Sequence, residues 1–149
     1  MHFINLKDFN KEQLELILNR ALTVKQNQAK FSQALTGKKM YMLFEKTSTR
    51  TALSFGLGMN ELGGTYFLQN WEDSNFSIGE IQDEARYVGR NVDIIMARLK
   101  LNENINLMAK YSPVPVINGC CNRYHPCQAM GDLLTIKETF GHYNVKLLY

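Results

Sequence analysis

The stretch that decides the fold is Met40-Tyr41-Met42-Leu43-Phe44-Glu45-Lys46-Thr47-Ser48-Thr49-Arg50-Thr51. Its first five residues are apolar or aromatic, which predicts a short buried strand. A polar segment follows, in which Ser48 or Thr49 is suited to cap a helix. The apolar residues of that helix run as far as the pair Gly63-Gly64, a typical stop signal. The stretch therefore predicts a strand, a short polar turn and a helix.

The same alternation continues on both sides of this unit. Upstream, Asn10 followed by Gln13 predicts a capped helix, and Gly37 closes that region. Downstream, the apolar patterns predict strands over residues 65–68, 93–99 and 114–117, and helices over about 80–91, 105–110 and 126–140, the last closed by Gly141. Repeated alternation of this kind predicts an α/β fold with a parallel sheet, helices on both faces of the sheet, and ligands at the carboxyl ends of the strands.

Length and composition limit the class of protein. The chain has 149 residues, of which 45% are hydrophobic and 21% charged, as in an ordinary globular domain. The net charge of +3 comes from scattered basic residues, so neither a nucleic acid nor a membrane surface is an expected partner. The N-terminus lacks the features of a signal or transit peptide, and no apolar run approaches the ~20 residues of a membrane span. Binding of a small anionic ligand is compatible with this composition.

Three cysteines, Cys120, Cys121 and Cys127, lie close together in the sequence. Their odd number and spacing match no secreted disulfide framework, which favours a reducing cytoplasm. With His125 they include possible metal ligands, but adjacent cysteines without a second CxxC pair are a poor zinc pattern. No metal is therefore predicted, and the role of the cysteines is left open.

The turn after the first strand is suited to bind an anion. Backbone N–H groups at a helix start lack partners, and the helix dipole is positive there. Ser48, Thr49 and Thr51 add hydroxyl donors, and Arg50 offers a planar fork for two oxygens. The alternative interpretation is a well-capped helix with a solvated arginine. The turn has no GxxxxGK pattern, and the glycines after it do not form GxGxxG.

Two further candidates stand where an α/β fold binds ligands. Arg98 lies at the carboxyl end of an otherwise apolar strand, although it is alternatively the first solvated residue past that strand. His125 and Gln128 begin the last helix, directly after a strand and a loop at Gly119, so both can point into one crevice. The alternative for His125 is a helix cap or a core donor.

Taken together, Ser48-Thr49-Arg50-Thr51, Ala97-Arg98 and His125-Pro126-x-Gln128 resemble, in order and separation, the carbamoyl-phosphate domain of the aspartate/ornithine carbamoyltransferase family. The resemblance covers essentially the whole chain, and Phe44-Glu45-Lys46 before the first motif resembles the ornithine branch. It implies a carbamoyl-phosphate-binding domain over residues 1–141 and, over residues 142–149, the start of a connection to an amine-binding domain. We interpret residues 144–149 as a new strand cut off as it begins.

The resemblance also implies roles for individual residues. Ser48, Thr49, Arg50 and Thr51 would hold the phosphate. Three residues would be catalytic: Arg98 would reach phosphate and carbamoyl oxygens, His125 would donate to the carbonyl oxygen, and Gln128 would orient the amide nitrogen. Attack by a neutral amine builds charge on the carbonyl oxygen, which fixed donors stabilise. The resemblance implies no metal and no organic cofactor, and it implies a homotrimer with active sites at the subunit boundaries.

One loop departs from the family pattern. In the family a loop of the neighbouring subunit carries a lysine in the aspartate branch and often a histidine in the ornithine branch. The matching stretch, residues 70–80, contains neither. Asn75 stands about where the histidine would be, and Ser74 or Ser77 is a candidate phosphate contact instead. Trp71 and Phe76 are either interface residues or plain packing.

The function favoured by the sequence is therefore transfer of a carbamoyl group to an amine. L-Ornithine giving L-citrulline and phosphate is the first choice, with putrescine, aspartate or an acylated ornithine as alternative amines. A rival from a different class is a non-catalytic anion-binding module. Since catalysis needs two domains to close around the reactants, we expect this chain alone not to turn over.

Overall fold

The computed structural model describes residues 1–148, and they form an α/β structure around one sheet. The strands are β1 (Lys39–Phe44), β2 (Thr65–Asn70), β3 (Ile94–Arg98) and β4 (Val116–Cys120). They pair in parallel in the spatial order β2-β1-β3-β4. The α-helices are α1 (Lys11–Gln26), α2 (Gln28–Phe31), α3 (Thr49–Glu61), α4 (Ile81–Gly89), α5 (Asn102–Tyr111) and α6 (Pro126–Phe140). The predicted parallel sheet is confirmed.

Helices cover both faces of the sheet, as the sequence predicts. Because side chains alternate along a strand, β1 contributes Tyr41 and Leu43 to one face and Met40 and Met42 to the other. The first pair packs in a cluster with residues of α4 and α5, and the second pair packs with Met59 of α3. The sheet is thus the middle of three layers, with a separate apolar cluster on each side.

The helix boundaries follow the local signals in the sequence. Asn10 and Gln13 form a reciprocal capping box, in which each side-chain oxygen accepts from the other residue's backbone N–H at 2.9 Å. Ser48, rather than Thr49, caps α3. Helix α6 begins at Pro126 and ends where Gly141 takes a left-handed conformation at φ 73°, as predicted.

The fourth strand lies about two residues later than the sequence predicts, and the predicted Gly119 loop is wrong. Val114 belongs instead to a turn, in which the Ser112 hydroxyl bonds both its carbonyl and its N–H at 2.8 and 3.2 Å. Pairing with β3 then continues through Gly119 to Cys120, which pairs with Arg98 across an irregular step. Gly119 is therefore part of the sheet.

The prediction of a new strand over residues 144–149 is wrong for residues 144–148, which have no regular secondary structure, and Tyr149 lies outside the described residues. A strand needs a sheet edge to pair with. The outer edge of β4 is already occupied by Phe3, which exchanges backbone hydrogen bonds with Val116 and Asn118 at 2.8 and 2.9 Å. Val145 instead donates to the carbonyl of Tyr143.

The strand order places the site. From β1 the chain moves outward to β2 and then returns to the opposite side of β1 as β3. The connections after β1 and β3 therefore diverge, and such a switch point opens a crevice at the carboxyl ends of the strands. The turn before α3, Arg98 and the start of α6 all lie at this edge. Within residues 1–148, no helix combines the length and apolar character that a membrane span requires.

Candidate active site

A cavity of about 320 Å³ opens at the carboxyl ends of β1, β3 and β4. Its lining residues are Ser48, Arg50, Thr51, Ser54, Phe55, Arg98, Gly119, His125, Cys127, Gln128 and Gly131. The cavity therefore brings together six of the predicted site residues, from three separate segments of the chain. Thr49, Asn75 and Ser77 are not among the residues that line it.

The start of α3 forms one wall of the cavity. Ser48 Oγ accepts from the backbone N–H of Thr51 at 3.3 Å and donates to Thr51 Oγ1 at 3.0 Å. Thr49 is exposed and is the first residue of the helix. Arg50 is exposed beside the cavity and makes no ion pair with any acidic side chain of residues 1–148. This wall combines hydroxyl donors, a helix N-terminus and an available cation, as anion sites do.

Arg98 is the last residue of β3, and its guanidinium reaches across the cavity. Its Nη1 lies 3.3 Å from the carbonyl oxygen of Gly119, 3.3 Å from His125 Nε2 and 3.5 Å from Thr51 Oγ1. One Nη carries only two hydrogens, so these three long contacts share them. Arg98 Nε is buried and has no hydrogen-bond partner among the described residues. The half-buried cation is therefore weakly engaged, and its donors suit a ligand with oxygen acceptors.

The contact with Arg98 sets the tautomer of His125. Arginine is only a donor, so His125 Nε2 accepts and the ring proton lies on Nδ1. Nδ1 is buried and finds no partner within residues 1–148. Burial chiefly, and then the charge of Arg98, lower the pKa of His125 below 6.5, while the Asp132 carboxylate opposes them. The ring is therefore neutral at pH 7, and donation from Nε2 requires Arg98 to release it.

The backbone around Arg98 is held by a residue that sequence reasoning missed. The Glu45 N–H donates to the Arg98 carbonyl at 2.9 Å, and the Glu45 carboxylate accepts from the Lys100 N–H at 2.7 Å. Glu45 therefore ties the end of β1 to the chain on both sides of Leu99. Nothing in its spacing points to this role, because the partners come from another strand.

A second missed residue is Asp132, whose carboxylate accepts from Gln128 Nε2 at 2.9 Å. Both side chains are exposed on α6, one turn apart. The signal that could have found this pair is the spacing of four residues on a predicted helix, at which side chains are neighbours.

The loop of residues 70–80 lies away from this cavity. Phe76 is buried in the core beside Tyr41, with ring centroids 6.3 Å apart, so packing accounts for this side chain. The hydroxyls of Ser74 and Ser77 donate to backbone carbonyls of the same loop at 2.6 and 2.7 Å. Asn75 is exposed and lines a different cavity of about 480 Å³ next to β2. A role for this loop in a neighbour's site stays a prediction.

The three cysteines have separate environments. Cys121 is buried, and its Sγ accepts from the Tyr124 N–H at 3.3 Å in the turn that precedes His125. Cys127 lines the cavity, and burial raises the pKa of its thiol to about 11. In the part of the chain that the structure describes, no three His, Cys, Asp or Glu side chains are grouped to hold a metal ion.

The fold is that of a carbamoyl-phosphate-binding domain. The family described as "Aspartate/ornithine carbamoyltransferase, carbamoyl-P binding domain" matches residues 1–138, and the chain belongs to this family. The resemblance drawn from the three motifs is thereby confirmed.

Relatives from several organisms agree with this assignment. An ornithine carbamoyltransferase of Campylobacter jejuni subsp. doylei is 44% identical over 138 residues, which cover 92% of this chain and 44% of the relative. The solved ornithine carbamoyltransferase of Pyrococcus furiosus has a TM-score of 0.90 and 40% identity, covering 94% of this chain and 46% of that one. A solved N-acetyl-L-ornithine transcarbamylase variant has a TM-score of 0.87 and 31% identity, covering 98% and 50%. The chain thus spans about half the length of the relatives it matches.

Proposed function

We propose that this chain is the carbamoyl-phosphate-binding half of a carbamoyltransferase, with L-ornithine as the acceptor amine and L-citrulline and phosphate as products. The observation that carries the proposal is the meeting of Arg50, Arg98 and His125 in one cavity. Arg50 lies on the side suited to phosphate, whereas Arg98 and His125 can polarise a carbonyl group. A module that only binds anions would need the phosphate side alone.

The phosphate would lie against the start of α3. Arg50, the Thr51 hydroxyl and the helix N-terminus supply donors and positive charge on that side, and the Ser48 hydroxyl joins them when its hydrogen turns from Thr51 Oγ1 to the phosphate. Thr49 would contribute its backbone N–H, because its side chain is exposed outside the cavity. The volume of about 320 Å³ is in the range of small-molecule sites.

The carbamoyl group would lie between Arg98, His125 and Gln128. The amine nitrogen attacks the carbonyl carbon, the carbonyl oxygen gains negative charge, and the C–O bond to phosphate then breaks. Arg98 and His125 would stabilise the charged oxygen, and one such donor is typically worth ~2.7–4 kcal/mol of barrier. Arg50 would hold the departing phosphate. The amine gives up a proton to the departing phosphate as the carbamoyl product forms.

The remaining parts of the function lie outside this chain. We propose that residues 1–141 form the binding domain and that residues 142–149 begin the connection to an amine-binding domain. The names of the relatives support ornithine as the amine, and the likeness to an N-acetyl-L-ornithine transcarbamylase keeps an acylated ornithine as the alternative. The cysteine usage supports a cytoplasmic location.

A homotrimer is part of the same proposal. Strand β2 is an edge strand, and its side chains Tyr66, Phe67 and Leu68 are 41%, 60% and 40% exposed. Exposed apolar side chains along a sheet edge are the kind of surface that a second copy covers. Sedimentation of the chain at increasing concentration tests this, and a monomer at the highest concentration would contradict a shared site.

The binding site is tested by calorimetric titration of carbamoyl phosphate into the chain and into Arg50→Ala. Inorganic phosphate at matched ionic strength is the control ligand. We expect the chain to prefer carbamoyl phosphate and Arg50→Ala to lose affinity for both ligands. Equal affinity of the unaltered chain for the two ligands would favour the anion-binding module over the transferase.

A further inference from the structure

The orientation of the Gln128 amide is determined by Asp132. An ionised carboxylate can only accept hydrogen bonds, so the end of Gln128 that lies 2.9 Å from Asp132 Oδ1 must be the NH2 group. One hydrogen of that NH2 group is thereby committed to Asp132, and the other end of the amide, Oε1, is the acceptor that Gln128 can offer to the cavity it lines. Oε1 is an acceptor and cannot donate.

This orientation matters for what the cavity selects. An acceptor at this place suits a ligand that carries an N–H donor, such as the amide nitrogen of a carbamoyl group. With the amide turned around, Gln128 would offer a donor instead, and it would suit a carboxylate or ester oxygen. A side-chain amide in water takes both orientations, so selection requires a neighbour that favours one of them.

Among residues 1–148, Gln128 is the side chain that hydrogen-bonds the Asp132 carboxylate. No cationic side chain of residues 1–148 forms an ion pair with it. A carboxylate near an anion cavity repels the anion, which by itself disfavours phosphate binding. The contact through which it can orient a ligand group is its hydrogen bond to Gln128.

We propose that Asp132 is a positioning residue that holds the Gln128 amide with its oxygen toward the cavity and so makes the site selective for ligands with an NH2 group on the carbonyl carbon. The inference rests on the proposed function, because it takes the carbamoyl group to lie at Gln128. It adds a residue that does not touch the ligand and acts on it through the hydrogen bond to Gln128; its charge also reaches His125, which faces both test ligands alike.

The test compares two stable ligands that differ at one group. Phosphonoacetamide carries an NH2 group on its carbonyl carbon, and acetonylphosphonate carries a methyl group in the same place. The quantity measured is the ratio of their dissociation constants, by calorimetry, for the chain, Asp132→Asn and Gln128→Ala. The ratio is the correct readout because removing a negative charge strengthens the binding of both anions equally.

Asp132→Asn keeps the size of the side chain but can bond either end of the Gln128 amide. We expect it to lower the preference for phosphonoacetamide about three- to tenfold, which is what one hydrogen bond between neutral groups is worth. In the Gln128→Ala background, Asp132→Asn should leave the ratio unchanged, because Asp132 no longer has an amide to orient. Asp132→Glu, which keeps the carboxylate, should retain most of the preference.

Glu138→Gln is the matched control, because it removes a carboxylate from the same helix at a residue that pairs with Lys25 of α1. It should leave the ratio unchanged. If the chain prefers phosphonoacetamide and Asp132→Asn preserves that preference in full, the inference about Asp132 is overturned while the proposed function stands. If the unaltered chain binds neither phosphonate more tightly than inorganic phosphate, both are overturned.

Discussion

Replacing Asn118 by alanine tests whether one buried side chain joins the sheet to the N-terminal segment. Asn118 lies on β4 and is fully buried. Its Nδ2 donates to the carbonyl of Ile4 at 2.9 Å, and its Oδ1 accepts from the N–H of Cys120 at 3.0 Å. A further contact at 3.4 Å joins Nδ2 to Cys121 Sγ. Replacement by alanine removes the side chain that makes all three contacts.

The expected loss in the free energy of unfolding is about 3–5 kcal/mol. A buried donor or acceptor left without its partner costs about 1–3 kcal/mol, and Asn118→Ala leaves the Ile4 carbonyl and the Cys120 N–H in that state. The space vacated by the amide adds a smaller packing term. Domains of this size are stable by only about 5–15 kcal/mol, so the loss is a large share of the total stability.

Urea unfolding followed by circular dichroism measures this loss. The control is Asn91→Ala, because Asn91 is exposed and its amide donates to a single carbonyl, that of Tyr87. We expect the control to change the free energy of unfolding by less than about 0.5 kcal/mol. If Asn118→Ala costs no more than 1 kcal/mol, or no more than the control, then the reasoning about buried partners is wrong.

Three other predictions use the same unfolding assay. Gly63 has φ +83°, and an added Cβ would lie 2.7 Å from a backbone oxygen, so Gly63→Ala should lower the free energy of unfolding by about 2 kcal/mol. Gly58 lies in α3 with open space around it, so Gly58→Ala should raise the free energy of unfolding by about 0.5–1 kcal/mol. Equal effects of the two substitutions would contradict this. A hydrogen bond from Lys38 lowers the pKa of Asp93, so Asp93→Asn should be less stable than the unaltered chain at pH 7. The difference in stability between the two proteins should shrink as the pH falls below about 4 and the Asp93 carboxylate is protonated. A difference that does not depend on pH would refute this. The pKa of His125 is lowered in the folded chain, so just below pH 6.5 the unfolded chain protonates this imidazole while the folded chain does not, and stability falls with pH. His125→Gln should therefore reduce the loss of stability between pH 7 and pH 5. An unchanged pH profile of stability would exclude the effect.

Much of the fold could be predicted because its signals are local. The capping box at Asn10, the apolar run of β1 and the Pro126 start of α6 are each complete within a few residues. The sequence pattern ends β4 too early, because the true end depends on pairing with Arg98, which is distant in sequence. The strand expected after residue 143 is absent from residues 144–148 for a related reason, since an apolar pattern does not reveal whether a partner strand lies beside it.

In the candidate site too, the sequence predicts which residues take part but does not predict their hydrogen-bond partners. Arg98 and His125 could be proposed from the sequence because a parallel sheet collects strand ends at one edge. The direction of the hydrogen bond between them could not be predicted, because it follows from a guanidinium at the end of β3 and a ring at the start of α6 that meet 3.3 Å apart. That direction decides the chemistry: while Arg98 donates to Nε2, His125 carries its proton on the buried Nδ1 and cannot donate from Nε2. A ligand oxygen that draws Arg98 away would therefore change what His125 can do.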